Sequence, residues 1–256
     1  MQLLISVVNE QEAKSAANGG ADIVDVKNPI EGPLGANLPR VIRCIRQSTP
    51  SALPVSAAIG DAPDKPGATA LAALGAAVCS IQYVKVGLYG TRLPPQAVYL
   101  LREVCRAVRE HDDSIKIIAV AYADAHKIGS LAPLELPAVA VEAKADGCML
   151  DTAVKGYGSL FSHLDDDELR AFVQSCHKRE LLCALAGSLG EGDIPRLAEI
   201  DPDIVGFRTA ACLGDRIHGV VDRRQVERLK DLIAANRSPL SGPYQAIAPI
   251  VQDASR

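Results

Sequence analysis

The chain has 256 residues, of which 48% are apolar and 23% are charged, and its formal net charge is -4. This composition is typical of a globular protein with a large core, and the length allows one or two domains or one α/β barrel. A nucleic-acid surface is not expected, because the net charge is mildly negative, Trp is absent and there are only three Phe residues.

Short apolar runs alternate with helical patterns along the whole chain. The predicted strands are 3–7, 23–28, 54–60, 83–90, 115–125, 147–153, 181–188 and 203–211. The predicted helices are 10–17, 37–47, 67–80, 95–111, 135–144, 165–179, 193–199 and 222–237. Eight strands in strict alternation with eight helices predict a parallel sheet covered by helices.

Eight such units in this length fit a closed barrel better than an open sheet, so the predicted fold is a single (β/α)8 TIM barrel of the α/β class. The barrel is expected at residues 1–237, and the Pro-containing tail 238–256 is expected to be a loosely ordered extension or an oligomer contact. A weak internal repeat supports the unit count. It relates ADIVDVK (21–27) to PDIVGFR (202–208) and puts Lys27 in register with Arg208.

We expect a cytoplasmic protein that does not contact membranes. No segment approaches the roughly 18 uncharged apolar residues of a bilayer span, and no basic region precedes the first apolar run as in a signal peptide. The seven cysteines are scattered without a C-x-x-C pair, and we interpret them as small buried hydrophobic residues.

Catalytic groups of a barrel gather at the carboxyl ends of its strands, and several predicted strands end in polar residues. These residues are Asp25, Lys27, Asn28, Asp61, Lys85, Asp124, His126, Asp151, Lys155, Arg208 and Thr209. An ammonium among apolar neighbours, as in YVKVGLYG, is costly unless a carboxylate pairs with it or it loses its proton. One Lys–Asp pair fits an ion-pair network that fixes the barrel's register. Three lysines with Asp25 and Asp151 favour catalysis.

The chemistry that suits this cluster is carbonyl chemistry through an imine. A lysine attacks an aldehyde or ketone as the free amine, and desolvation and neighbouring positive charge both lower its pKa. One lysine would therefore lower the pKa of another, while aspartates move protons.

A phosphate site is predicted in the loops after strands seven and eight. The Gly-rich segment AGSLGEGD (186–193) contains Gly187 and Ser188 and opens a helix. A tight turn explains this segment equally well, but Arg208, next to Thr209, favours phosphate because a guanidinium matches phosphate oxygens. Asp124 and His126, on one face of predicted strand five, could be half of a metal site. A structural hydrogen-bonded pair is the preferred interpretation, and we expect neither a metal nor a cofactor.

Six motifs carry a resemblance to a known family. They are DVKNPIEGPLGAN, YVKVGLYG, AYADA, MLDTAVKG, CALAGS and VGFRTAAC. In order and spacing they resemble the (5-formylfuran-3-yl)methyl phosphate synthases, also called 4-(hydroxymethyl)-2-furancarboxaldehyde-phosphate synthases. The resemblance extends from the N-terminus to about residue 235.

The resemblance implies a TIM-barrel lyase that makes the furan precursor of methanofuran from two molecules of glyceraldehyde 3-phosphate, with loss of phosphate and water. It implies that Lys27 forms the Schiff base and that Lys85 is an acid/base lysine. The family's DTA-x-K motif falls on Asp151 and Lys155, and Asp25 is expected to handle protons beside the imine lysine.

Two alternatives stay open at this point. A class I aldolase or transaldolase-like enzyme would use the same imine but release an open-chain sugar phosphate. A non-catalytic phosphosugar-binding barrel would not require three amines at strand ends. The expected partner is a small triose phosphate, and we expect a homo-oligomer.

Overall fold

A computed structural model of the chain describes residues 1–61 and 64–236. Its main strands are β1 (Gln2–Val7), β2 (Ile23–Val26), β3 (Val55–Ala58), β4 (Tyr83–Gly87), β5 (Lys116–Tyr122), β6 (Gly147–Asp151), β7 (Leu182–Leu185) and β8 (Ile204–Phe207). They are parallel, follow one another in sequence order, and close into a barrel where β8 pairs with β1. The predicted (β/α)8 barrel is confirmed. The predicted extension 238–256 lies outside the described residues.

Helices connect the strands and cover the outside of the barrel. They are α1 (Glu10–Asn18), α2 (Pro39–Ser48), α3 (Pro66–Ala77), α4 (Pro94–Arg109), α5 (Ala125–Ile128), α6 (Leu136–Ala143), α7 (Asp166–His177), α8 (Ile194–Ile200) and α9 (Arg223–Ala235). Side-chain oxygens of Asn9, Asp165 and Asp222 cap α1, α7 and α9, which satisfies backbone N–H groups at the start of each helix. None of the helices in residues 1–61 and 64–236 combines the length and hydropathy that a membrane span requires.

Apolar side chains form one layer between strands and helices and another inside the barrel. Successive strand residues point to opposite faces, so Leu3 and Ile5 pack outward while Leu4 packs inside. Ser6, Asp25 and Ser56 are register partners on β1, β2 and β3. The pairing of the strands therefore brings these three polar residues to one level of the barrel interior.

The end of β5 differs from the prediction. The strand stops at Tyr122, and Asp124 and His126 lie at the start of the one-turn helix α5. The expectations that these two residues share a strand face and form a hydrogen-bonded pair were both wrong. The carboxylate of Asp124 is buried and accepts hydrogen bonds from the backbone after β6, whereas His126 is exposed on the helix.

A short hairpin after β8 was also not predicted. A 3-10 turn (Thr209–Ala211) leads into β9 (Cys212–Leu213), which pairs antiparallel with β10 (Val220–Val221) before α9 begins. Strands of two residues are too short to show a periodic pattern in the sequence. The hairpin matters because its turn reaches the carboxyl end of the barrel.

Gly147, at the start of β6, occupies a position with no room for a side chain. A Cβ there would lie 2.8 Å from Ile118 Cδ1 and 2.8 Å from Leu182 Cβ and O. Gly147→Ala should lower the free energy of unfolding by about 1–3 kcal/mol, because an overpacked core must shift its neighbours. Gly75 in α3 has nothing within 4 Å of the corresponding position, so Gly75→Ala should stabilise the protein by about 0.5–1 kcal/mol. Urea unfolding compares the two variants, and equal stabilities would contradict this account.

Candidate active site

A pocket opens at the carboxyl ends of the barrel strands. The space between its walls, open solvent at the mouth included, is about 440 Å³. Its charged lining residues come from β2, β6, β8 and the loops that follow them, and they are Lys27, Asp151, Lys155, Arg208 and Arg216.

Lys27 follows β2 directly, and its side chain is only 8% exposed. Its ammonium lies 4.0 Å from Asp151 Oδ2, which is too long for a hydrogen bond. Burial lowers the pKa of Lys27 to about 8, with a smaller contribution from Lys85, while the attraction of Asp151 opposes the shift. At pH 7 about 10% of such an amine is uncharged, against well under ~0.1% of an ordinary lysine.

Asp151, the last residue of β6, connects Lys27 with Lys155. Its Oδ1 accepts hydrogen bonds from Lys155 Nζ at 2.8 Å and from the backbone N–H of Thr152 at 2.7 Å. Its Oδ2 is buried, has no hydrogen-bond partner among the described residues, and faces Lys27. Burial acts to raise the pKa of Asp151, but Lys155 and Lys27 together outweigh it and hold this pKa at about 2. Asp151 is therefore an ionised carboxylate with one oxygen available beside the amine.

Asp124 holds the loop that carries Lys155 in place. The two carboxylate oxygens of Asp124 accept hydrogen bonds from the N–H groups of Ala153 at 2.7 Å and Val154 at 2.8 Å. Lys155 also donates to Thr152 Oγ1 at 2.9 Å. Asp124, considered above as half of a metal site, thus positions the loop of Lys155.

Lys85 and Asp25 form a second buried ion pair, in which Lys85 Nζ lies 2.7 Å from Asp25 Oδ2. The hydroxyls of Ser6 and Ser56 each donate to Asp25 at 2.9 Å. Ser6 lines the pocket, whereas Lys85 and Asp25 do not. This geometry accommodates both interpretations made from the sequence, an acid/base lysine and a structural ion pair.

The loops predicted to bind phosphate also line the pocket. Gly187 has a φ of 112°, and a Cβ there would lie 3.0 Å from Thr152 N, so a side chain at this position would be strained and crowded. The backbone N–H groups of Gly187, Ser188 and Thr209 donate to no other described residue. These N–H groups are therefore available to an anion in the pocket.

Arg208 borders the pocket, but its guanidinium is bound by the protein. Both Nη atoms donate to the buried carboxylate of Glu12, and the remaining N–H groups donate to the backbone oxygens of Ser6, Arg216 and Gly219. All five donors are used in this way. Arg208 therefore neutralises Glu12 and holds the turn between β9 and β10, rather than pointing freely at a phosphate.

Two residues near the site were not singled out from the sequence. Tyr122, buried inside the barrel, donates a hydrogen bond to Asp61, and burial raises the pKa of that carboxyl. The alternation of β5 could have placed Tyr122 inside. Arg216 lies in the turn of the β9–β10 hairpin, and no sequence pattern indicated that this turn returns to the pocket.

Comparison with known proteins assigns the chain to a family. The family model described as 4-HFC-P synthase matches residues 3–230. The chain belongs to the 4-HFC-P synthase family. Two relatives named (5-formylfuran-3-yl)methyl phosphate synthase, from Methanothermobacter thermautotrophicus and Methanocaldococcus jannaschii, are each 50% identical to this family member. Each alignment covers 91% of this chain and 99% of the relative.

The barrel of this 4-HFC-P synthase family member is also found in distant enzymes. The 3-hexulose-6-phosphate synthase of Salmonella typhimurium superposes with a TM-score of 0.64, over 93% of this chain and 100% of that one. Phosphoribosyl anthranilate isomerase of Thermus thermophilus gives a TM-score of 0.60 over 93% and 100%. Both are 16% identical to the chain, so they show a shared fold alone.

The buried pair of Lys85 and Asp25 generates a stability prediction. Asp25→Asn should lower the free energy of unfolding by about 3–5 kcal/mol, because it leaves the ammonium of Lys85 buried without a carboxylate. The double variant Asp25→Asn, Lys85→Met should recover much of this loss. Urea unfolding of both single variants and the double variant measures the coupling, and additive effects would show that the pair contributes no interaction energy.

Lys27 generates a pH prediction. Its reaction with a small aldehyde and cyanoborohydride should accelerate about tenfold per pH unit below pH 8 and level off above it, because only the free amine reacts. Asp151→Asn should move the midpoint to lower pH, since Asp151 stabilises the ammonium, and Lys155→Met should move it to higher pH. Peptide mass mapping follows the modification of Lys27. A midpoint near that of exposed Lys14 would contradict the lowered pKa.

Proposed function

We propose that this chain is a lyase that condenses two molecules of glyceraldehyde 3-phosphate into (5-formylfuran-3-yl)methyl phosphate through a Schiff base on Lys27. Family membership and the names of the 50% identical relatives support the product. The observation that carries the mechanism is the buried amine of Lys27, with a pKa of about 8, beside the available Oδ2 of Asp151. The proposed biological role is the biosynthesis of methanofuran or an analogue.

The reaction begins with attack of the uncharged Lys27 amine on the carbonyl carbon of one triose phosphate. Loss of water from this adduct gives an iminium ion, which acidifies the neighbouring C–H bond. Asp151 Oδ2, which lies 4.0 Å from Lys27 Nζ and has no hydrogen-bond partner among the described residues, removes the proton of that bond to give an enamine. The enamine carbon then attacks the aldehyde of the second triose phosphate and forms the new carbon–carbon bond.

The later steps release the leaving groups and close the ring. One phosphate and two water molecules leave in total, which balances two triose phosphates against the furan product. The ammonium of Lys155, which is hydrogen-bonded to Asp151 Oδ1 at 2.8 Å, supplies protons to the departing oxygens. Aromatisation of the furan makes the sequence effectively irreversible.

Lys85 and Asp25 act in this proposal as the acid/base pair next to the imine site. Nζ of Lys85 and Oδ2 of Asp25 lie 2.7 Å apart. Ser6 contacts both the pocket and Asp25, which places this pair one side chain away from the substrate.

The phosphate of the bound triose is held by the N–H groups of Gly187, Ser188 and Thr209, which have no protein partner among the described residues. Arg208 contributes by holding the adjoining hairpin turn through the oxygens of Arg216 and Gly219. Neither a metal nor another cofactor enters the reaction. We still predict that the enzyme is cytoplasmic and forms a homo-oligomer.

Borohydride trapping tests the Schiff base. With glyceraldehyde 3-phosphate present, borohydride reduction should attach one triose phosphate to Lys27 and abolish turnover. Lys27→Met should form no adduct, and its turnover rate should be at least about 10³-fold lower. Lys14→Met, at an exposed position of α1, is the matched control and should behave as the unmodified protein. An adduct mapped to Lys85 or Lys155 instead of Lys27 would overturn the assignment.

The product separates this proposal from its alternatives. Incubation with glyceraldehyde 3-phosphate alone should give an ultraviolet-absorbing furan whose mass is that of two triose phosphates less one phosphoric acid and two waters. An open-chain sugar phosphate with the same Lys27 adduct would indicate a class I aldolase or transaldolase-like enzyme. Binding of the triose phosphate without any turnover would indicate a phosphosugar-binding protein.

A further inference from the structure

Arg216 lies in the turn between β9 and β10 and lines the pocket together with Lys27 and Asp151. Its side chain is half-buried and makes one hydrogen bond within the described part of the chain, from Nη2 to the backbone oxygen of Gly32 at a long 3.4 Å. Across residues 1–61 and 64–236, no carboxylate oxygen lies within 4.0 Å of its guanidinium. Arg216 is thus a cation in a pocket wall with most of its donors unused.

Arg216 and Arg208 both line the pocket, but among the described residues only the guanidinium of Arg208 is paired with a carboxylate. Arg208 is 5% exposed and is neutralised by Glu12. Burial lowers the pKa of Arg216, Asp151 opposes this shift, and Arg208 adds to it. A partly desolvated guanidinium without a paired anion is unfavourable, so an anionic ligand at this point would be stabilised by it.

The backbone around Arg216 is held in place. The carboxylate of Asp215 accepts hydrogen bonds from the N–H groups of Ile217 at 2.7 Å and His218 at 2.8 Å, which fixes the turn. Arg208 Nε donates to the backbone oxygen of Arg216 at 3.1 Å. The guanidinium is therefore carried by a pre-organised turn, and little ordering is required when a ligand binds.

We propose that Arg216 is the arginine that binds the phosphate group of the substrate and makes the site specific for phosphorylated aldehydes. This inference rests on the proposed function, because it takes the bound phosphate to be that of a triose phosphate substrate. The N–H groups of Gly187, Ser188 and Thr209 line the same pocket and supply further donors to the phosphate oxygens. A planar guanidinium binds two of these oxygens at once, which an ammonium does not.

The test compares trapping at Lys27 by glyceraldehyde 3-phosphate with trapping by unphosphorylated glyceraldehyde. Arg216→Gln should raise the half-saturating concentration of the phosphorylated aldehyde at least tenfold and change that of glyceraldehyde less than twofold. Arg216→Lys should fall between, because it keeps the charge without the bidentate contact. Arg92→Gln is the matched control, since Arg92 is an exposed arginine after β4 that does not line the pocket.

Inorganic phosphate provides a test that does not depend on catalysis. Calorimetry should show phosphate binding to the unmodified protein and to Arg92→Gln, and a loss of at least tenfold in affinity for Arg216→Gln. Equal phosphate affinity in Arg216→Gln, or an equal loss of trapping with both aldehydes, would overturn the role of Arg216. If the unmodified protein forms no adduct at Lys27 but Arg216→Gln still loses phosphate binding, the proposed reaction fails and the role of Arg216 stands.

Discussion

The candidate site depends on the different surroundings of the two carboxylate oxygens of Asp151. One oxygen is bound by Lys155 and by a backbone N–H, while the other faces Lys27 across 4.0 Å without a hydrogen bond. Lys155 and Lys27 keep the carboxylate ionised, and burial keeps a fraction of Lys27 uncharged. If both oxygens were hydrogen-bonded to ammonium groups, the site would be a structural salt bridge with neither a nucleophile nor a base.

The two buried lysines of the barrel illustrate the same distinction. Lys85 contacts Asp25 at 2.7 Å, and this carboxylate is further oriented by two hydroxyls. Lys27 has no contact of that length to a carboxylate among the described residues. Coulomb attraction and hydrogen bonding both favour the charged form of an amine, so the lysine that lacks a close carboxylate is the one that can act as a nucleophile.

Lys27 and Arg208 occupy equivalent places in the repeat, each directly after a barrel strand. Their environments nevertheless differ, because Glu12 on α1 is buried next to Arg208 and takes up its charge. The two residues at equivalent strand ends thus have different parts in the molecule. Lys27 faces the pocket, and Arg208 connects α1, β1 and the β9–β10 turn.

The barrel itself could be predicted from the sequence, because alternating apolar strands and amphipathic helices depend on local periodicity. The position of Lys27 and Asp151 at strand ends follows from the same pattern. The predicted shared strand face of Asp124 and His126 was wrong because β5 ends at Tyr122, and the Asp124 carboxylate instead binds N–H groups of a loop that follows β6. Such contacts between distant segments leave no periodic signal.

The amino-acid sequence by itself therefore determined the strand order, the closed barrel, and the placement of Lys27, Asp151 and Lys155 at its carboxyl end. The tertiary structure alone decided which of those charges are neutralised and which remain available. Arg208 is neutralised because it meets Glu12, a residue far away in the chain. Arg216 reaches the pocket because a short hairpin turn carries it there. The strength of an ion pair depends steeply on separation and burial, and neither quantity is encoded in local sequence.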